Sequence, residues 1–145
     1  MAHNLFAFEA DEFADLHWMP LAFRFRLDAC GLKLTLASWQ NLPFSERVLL
    51  LNSPFEGEDE QMVWAAHLKN ALAVRGLEGP TIMERWIDPG KIPGDVAEKL
   101  EEFDCEMSAG GWRDLTPIQR HALCKLARGK QANRYLYRAF LEFRK

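Results

Sequence analysis

The sequence predicts an all-α fold, a single domain of about eight helices in two pseudo-repeated helical units, residues 19–72 and 92–145, with a connector at 77–91. Three observations predict it. Apolar residues recur at helical spacing along most of the chain, with no run that argues for a sheet. Proline and small polar residues stand just ahead of those runs, where helices begin. A constant offset of 73 residues superposes Pro20 on Pro93, Leu27 on Leu100, Trp39 on Trp112, Leu42 on Leu115, Arg47 on Arg120 and Leu50 on Leu123. The same offset pairs Ala66 with Ala139 and Leu68 with Leu141, eight identities over 54 positions. The recurring order of proline, apolar run, capping residue, tryptophan and apolar run is the stronger sign, because it repeats a plan of helices.

Residues 3–10 alternate at Phe6 and Phe8, which predicts a short extended arm, and Asp11 to His17 gives a helical turn behind an acidic start. Pro20 opens the first long helix, with Phe23, Leu27 and Cys30 on one stripe and Arg24 and Asp28 as an outward i, i+4 pair. Gly31 stops it. Thr35 caps a short helix through Trp39, and Pro43 and Ser45 start another with Val48, Leu49 and Leu51 facing inward. Asn52-Ser53-Pro54 ends that helix. Glu58-Asp59-Glu60 suits a helix N-terminus, and Met62, Ala65, Ala66, Leu68 and Leu72 continue the pattern to Gly76. The breaks at Gly79-Pro80 and Pro89-Gly90 mark the connector.

The second unit follows the same plan. A helix runs from about Pro93 to Phe103, Ser108 caps the turn before Trp112, and Thr116-Pro117 opens a helix to Arg128. Gly129 separates it from a last helix, Gln131 to Phe143, whose stripe is Ala132, Leu136, Ala139, Phe140 and Phe143.

Composition excludes several classes. At 48% hydrophobic and 27% charged the chain is of the ordinary globular type, long enough to bury a core. No apolar run reaches the roughly 20 residues of a membrane span, and no basic-then-apolar leader opens the chain, so a cytoplasmic protein with no membrane partner is expected. Cys30, Cys105 and Cys124 show no metal-type spacing and read as reduced thiols. His3, His17, His67 and His121 show no ligand spacing either, and no nucleophile triad or glycine-rich phosphate loop occurs. No catalytic residue, metal or cofactor is therefore assigned, and a non-enzymatic protein is expected.

Charge is lopsided: from Trp112 onward nine Lys/Arg face two Asp/Glu, while residues 1–111 carry nine against nineteen. Such asymmetry fits an anionic partner for the basic part, or attraction between the halves. Features common to both units serve the fold first, so Trp39 and Trp112 read as core anchors, and Arg47 and Arg120 as bridges to carboxylates or carbonyls of their own half. Features of one unit are the better functional candidates. Arg120, Cys124 and Arg128 lie opposite the Ile118, Ala122, Leu126 stripe, and Arg134 and Arg138 form a similar row on the last helix. With Lys125, these arginines make a candidate partner-binding face: Arg120, Lys125, Arg128, Arg134 and Arg138.

Phe6 to Ala10, Met19-Pro20, Arg24 to Leu34, Trp39, Ile92-Pro93, Trp112, Leu115 to Arg120, Ala122 to Arg128 and Ala139 to Phe143 together resemble the nitrate reductase-associated protein family, in order and spacing over nearly the whole chain. Pro20, Arg24, Leu27, Asp28, Gly31, Lys33, Trp39, Pro93, Trp112 and Arg120 are the residues matched to its motifs, read as structural. The resemblance departs after Arg128, where Gly129-Lys130-Gln131-Ala132-Asn133 keeps only the asparagine of a Pro and His-Glu-Asn-like run. It implies a small accessory protein of nitrate assimilation, needed for activity or maturation of a molybdenum-dependent nitrate reductase. The implied partner is that enzyme or its cofactor-maturation machinery, met through protein contact. The alternative is a nucleic-acid-binding regulator using the basic C-terminal helices; the net acidic chain and the lack of a recognisable recognition helix make nucleic acid the weaker partner.

Overall fold

The elements found in the computed structural model, which describes residues 5–72, 88–128 and 132–144 (omitting the side chains of residues 12 and 132–134), are all helical. The chain divides into two compact units, Met1–Ile82 and Met83–Lys145. Residues 77–87 of the expected connector lie outside the described residues.

In the first unit a 3-10 turn, Ala7–Glu9, leads into α1, Ala10–Phe13. This corrects the expected extended arm. With no strand among the described residues to pair with, the backbone satisfies itself locally, Glu9 N donating to Phe6 O at 3.0 Å, and the two phenylalanines stack with ring centroids 5.4 Å apart. α1 starts earlier and ends sooner than the expected 11–17 turn. The chain leaves it through Leu16, a fully buried residue at φ 57°. That costs about 1 kcal/mol of backbone strain. It also aims the Leu16 carbonyl at two donors, Trp39 Nε1 and Arg47 Nη1, each at 2.9 Å.

α2 (Leu21–Ala29) follows Pro20, which has no side-chain acceptor to offer the helix start. The buried Glu9 supplies one from a distance, its Oε2 accepting from Leu21 N at 3.1 Å, where the positive end of the helix favours a carboxylate. Gly31 at φ 67° closes α2 as expected, with Leu32 N donating back to Leu27 O at 2.8 Å. Thr35 caps α3 (Leu36–Asn41), its Oγ1 accepting from Ser38 N at 3.1 Å. α4 (Phe44–Asn52) and α5 (Gly57–Ala71) complete the unit. Phe23 is the hub of its core, tilted against Trp39 at 4.4 Å and Trp64 at 5.6 Å.

Two phases differ from expectation. On α4 it is Leu50 and Leu51 that turn inward, at 1% and 0% exposure, while Leu49 is 48% exposed. On α5 the inward residues are Trp64 and Leu68; Met62 and Ala66 face out. Four apolar residues in a row, Val48 to Leu51, carry no phase of their own. The Leu50 carbonyl sets it by accepting from Trp64 Nε1 at 2.7 Å and Arg26 Nη1 at 2.9 Å.

The second unit holds α6 (Gly94–Glu101), α7 (Ala109–Asp114), α8 (Pro117–Arg128) and α9 (Ala132–Phe143). Ser108 caps α7 through Gly111 N at 2.9 Å, and Thr116 and Gln119 exchange bonds as a capping box at the start of α8. Asp104, 73 residues after Gly31, takes the same left-handed turn at φ 57°, and Cys105 N returns to Leu100 O at 2.9 Å. Trp112, fully buried like Trp39, donates from Nε1 to Asp88 O at 2.9 Å. Of the expected stripe of α9, Leu136, Ala139, Phe140 and Phe143 are buried, joined by Tyr135, and the side chain of Ala132 lies outside the described residues. The pairing of Leu68 with Leu141 does not share an environment: the first is fully buried, the second 42% exposed. Ala66 and Ala139 part likewise. Single features 73 residues apart match at Gly31 and Asp104, at Thr35 and Ser108 and at Trp39 and Trp112.

Candidate functional site

The basic face expected on α8 and α9 is only partly at the surface. Arg120 is 6% exposed, and its Nη1 donates to the carbonyls of Leu115, Arg113 (3.3 Å) and Trp112 (3.5 Å) at the end of α7. Arg47 does the same in the first unit, with Nε on Leu42 O and Nη2 on Gln40 O, both at 3.0 Å. Leu42 and Gln40 stand 73 residues before Leu115 and Arg113. Each arginine thus satisfies the last carbonyls of the short helix before it, which have no partner inside a helix of six residues. Arg120 is turned into the fold and leaves the candidate face.

The wheel drawn for α8 needs the same correction. Its buried residues are Arg120 to Cys124 and Ala127, while Ile118 and Leu126 are only half-buried. His121, at 0% exposure, lies inside with them. A guanidinium is tolerated on such a face because carbonyl oxygens surround its donors. Arg128 stays exposed and pairs with Asp95, Nε to Oδ2 at 3.3 Å. Lys125 is half-buried, and Arg138 lies 5.9 Å from the Tyr135 ring centre. The side chain of Arg134 lies outside the described residues. Of the four described side chains, Arg120 is turned inward while Arg128 is exposed.

Of the residues matched to the family motifs, Pro20, Leu27, Trp39, Pro93, Trp112 and Arg120 are buried. Arg24 is exposed, with Asp28 and Glu9 supplying the negative charge about it. Gly31 terminates α2, and Lys33 is exposed. Among the described residues no group of three or more His, Cys, Asp and Glu is placed to hold a metal. Burial pushes the Cys30 and Cys105 thiols up. No helix among them is long and apolar enough to cross a membrane.

A different surface stands out in the first unit. Between α4 and α5 runs an apolar groove of about 350 Å³, lined by Leu49, Ser53, Pro54, Val63 and Trp64 together with Asp59, Glu60 and His67. Leu49 is 48% exposed, Val63 71% and the adjoining Met62 70%. Trp64 forms the floor and is held by its bond to Leu50 O. Behind it lies Arg26, 6% exposed, whose Nη1 reaches Leu50 O and, at 3.4 Å, Ser53 Oγ; burial pushes its guanidinium down to about 10. At one edge His67 Nε2 and Glu46 Oε2 meet at 2.7 Å. Sequence periodicity missed this site because it placed Leu49 and Met62 inside. The available signal was Met62-Val63-Trp64, three large apolar residues in succession that one helix face cannot all bury.

No curated protein and no solved structure matches the chain. Over residues 5–143 it matches the conserved nitrate reductase-associated protein family, and the chain belongs to that family.

Proposed function

We propose that this nitrate reductase-associated protein is a non-enzymatic, cytoplasmic accessory protein, needed for the activity or maturation of a molybdenum-dependent nitrate reductase and acting by protein contact. The observation that carries the reading is the exposed apolar surface around the α4–α5 groove. It brings the exposed side chains of Leu49, Met62 and Val63 together beside a mostly apolar lining, a surface suited to docking. The family association supplies the partner class. Lys125, Arg128 and Arg138 remain a secondary contact for an acidic patch. The doubling of the helical unit is part of the same reading, supported by the matched caps and by the matched carbonyl contacts of Arg47 and Arg120. The nucleic-acid alternative has less support, because α8, the helix that would enter a groove, is buried at five successive positions.

Deleting the gene tests the proposal. Nitrate reductase activity should fall while its transcript is unchanged, and restoring the chain should restore activity. Full activity in the deletion strain refutes it.

A further inference from the structure

We propose that the α4–α5 groove seats a basic amphipathic helix of a partner protein, which inserts a bulky apolar side chain between Leu49 and Val63. Its Lys or Arg residues lie against Asp59 and Glu60. The inference rests on the accessory-protein reading and names the chemistry of the partner.

The apolar part follows from the lining. Leu49, Pro54, Val63 and Trp64 offer a dry wall and floor, and the opening has room for side chains rather than for a whole helix. Leaving Leu49 and Val63 in water forfeits the burial that a partner side chain would supply.

The helical part follows from the counterpart in the second unit. Arg47 and Arg120, which bind equivalent carbonyls, set α4 and α8 in register. Leu49 then corresponds to Ala122. Ala122 is 0% exposed, and the five successive buried residues around it cover more than one turn of α8, which packs on both α6 and α9. A segment of this pattern, when enclosed, is enclosed by helices. α4 is apolar from Val48 to Leu51, where α8 has His121 to Cys124, and leaves Leu49 48% exposed.

The charge follows from the rim. Asp59 and Glu60 line the groove, Glu60 Oε1 accepting from Glu56 N at 2.6 Å and leaving its other oxygen to the rim; Glu56 and Glu58 are exposed beside them in the chain, and Glu46 meets the lining His67 at 2.7 Å. Two arginines of α2 and α4 are committed: Arg47 to three carbonyls, and Arg26 to Leu50 O and Ser53 Oγ. An acidic rim about an apolar groove selects a cationic amphipathic segment over a neutral or acidic one.

The test uses the full chain and a fluorescein-labelled Leu/Lys amphipathic peptide of about 18 residues, long enough to form a helix. A Leu/Glu peptide of the same pattern is the control. Fluorescence anisotropy should show binding of the Leu/Lys peptide alone, weakened about tenfold or more by Val63→Glu and by the double change Asp59→Lys, Glu60→Lys. All three positions are at least partly solvent-facing, and unchanged circular dichroism checks the fold. No binding of the Leu/Lys peptide, equal binding of both peptides, or binding indifferent to these variants overturns the proposal. Complementation separates the two readings. If deletion lowers nitrate reductase activity and the Val63→Glu chain restores it fully, the groove proposal falls while the accessory reading stands. If deletion leaves activity intact, the accessory reading falls whatever the peptides do.

Discussion

Replacing Arg120 with methionine separates a fold-building arginine from a partner-binding one. Methionine keeps most of the apolar stem and removes the donors. Three carbonyls lose a charged partner: those of Leu115, Arg113 and Trp112. The Trp112 carbonyl keeps the Leu115 N–H as a donor, so two of the three are the main losses. A hydrogen bond to a charged group is worth about 1.5–3 kcal/mol, and part of the loss returns because a buried cation is no longer desolvated. A net destabilisation of about 3 kcal/mol follows. With a urea dependence of about 2 kcal/mol per molar, the unfolding midpoint should drop by about 1.5 M. Arg120→Lys, which can reach one carbonyl at a time, should fall between. Arg128→Met, at an exposed ion pair, should cost less than about 1 kcal/mol and serves as the control. An Arg120→Met protein with an unchanged midpoint, measured by circular dichroism, would refute the reasoning and return Arg120 to the surface.

Further changes probe the same framework by urea denaturation. Gly31→Ala should cost about 1 kcal/mol through backbone strain alone, since a Cβ at φ 67° there meets nothing within 4 Å; a neutral result would mean that α2 ends otherwise. Thr35→Ala and Ser108→Ala should each cost about 1 kcal/mol, and each should be largely rescued by aspartate, as N-caps are. Arg26→Met should cost about 1 kcal/mol, less than Arg120→Met, because the Leu50 carbonyl keeps Trp64 as a donor and burial already disfavours the charge; a loss as large as that of Arg120→Met would contradict this.

What the sequence made legible was local. Thr35, Ser108, Thr116 and Gly31 act at positions where a single residue type meets a backbone need, so spacing alone located the helix ends. The phase of a helix is not local. Val48 to Leu51 are all apolar, and it takes tertiary partners such as Trp64 and Arg26, which bind the Leu50 carbonyl, to fix which of them lies inside. The basic face was misread for a related reason. Charge argues for the surface, yet the six-residue α7 ends with carbonyls that a guanidinium satisfies better than water does once they are covered. Glu9 escaped notice because its partner, Leu21 N, is distant in sequence and belongs to a helix whose proline N-cap offers no acceptor.

These misreadings bear on where function sits. The Arg47 and Arg120 contacts show that shared residues can be spent wholly on the fold, even when charged. Leu49 shows the reverse: an apolar residue that the fold leaves 48% exposed, while Ala122, 73 residues on, is fully buried. A leucine left 48% exposed beside an exposed Val63 forgoes about 1 kcal/mol of burial. Folding gives no return for that exposure. A partner that covers it does, which is why Val63→Glu, harmless to a half-open surface, should be costly to the accessory role.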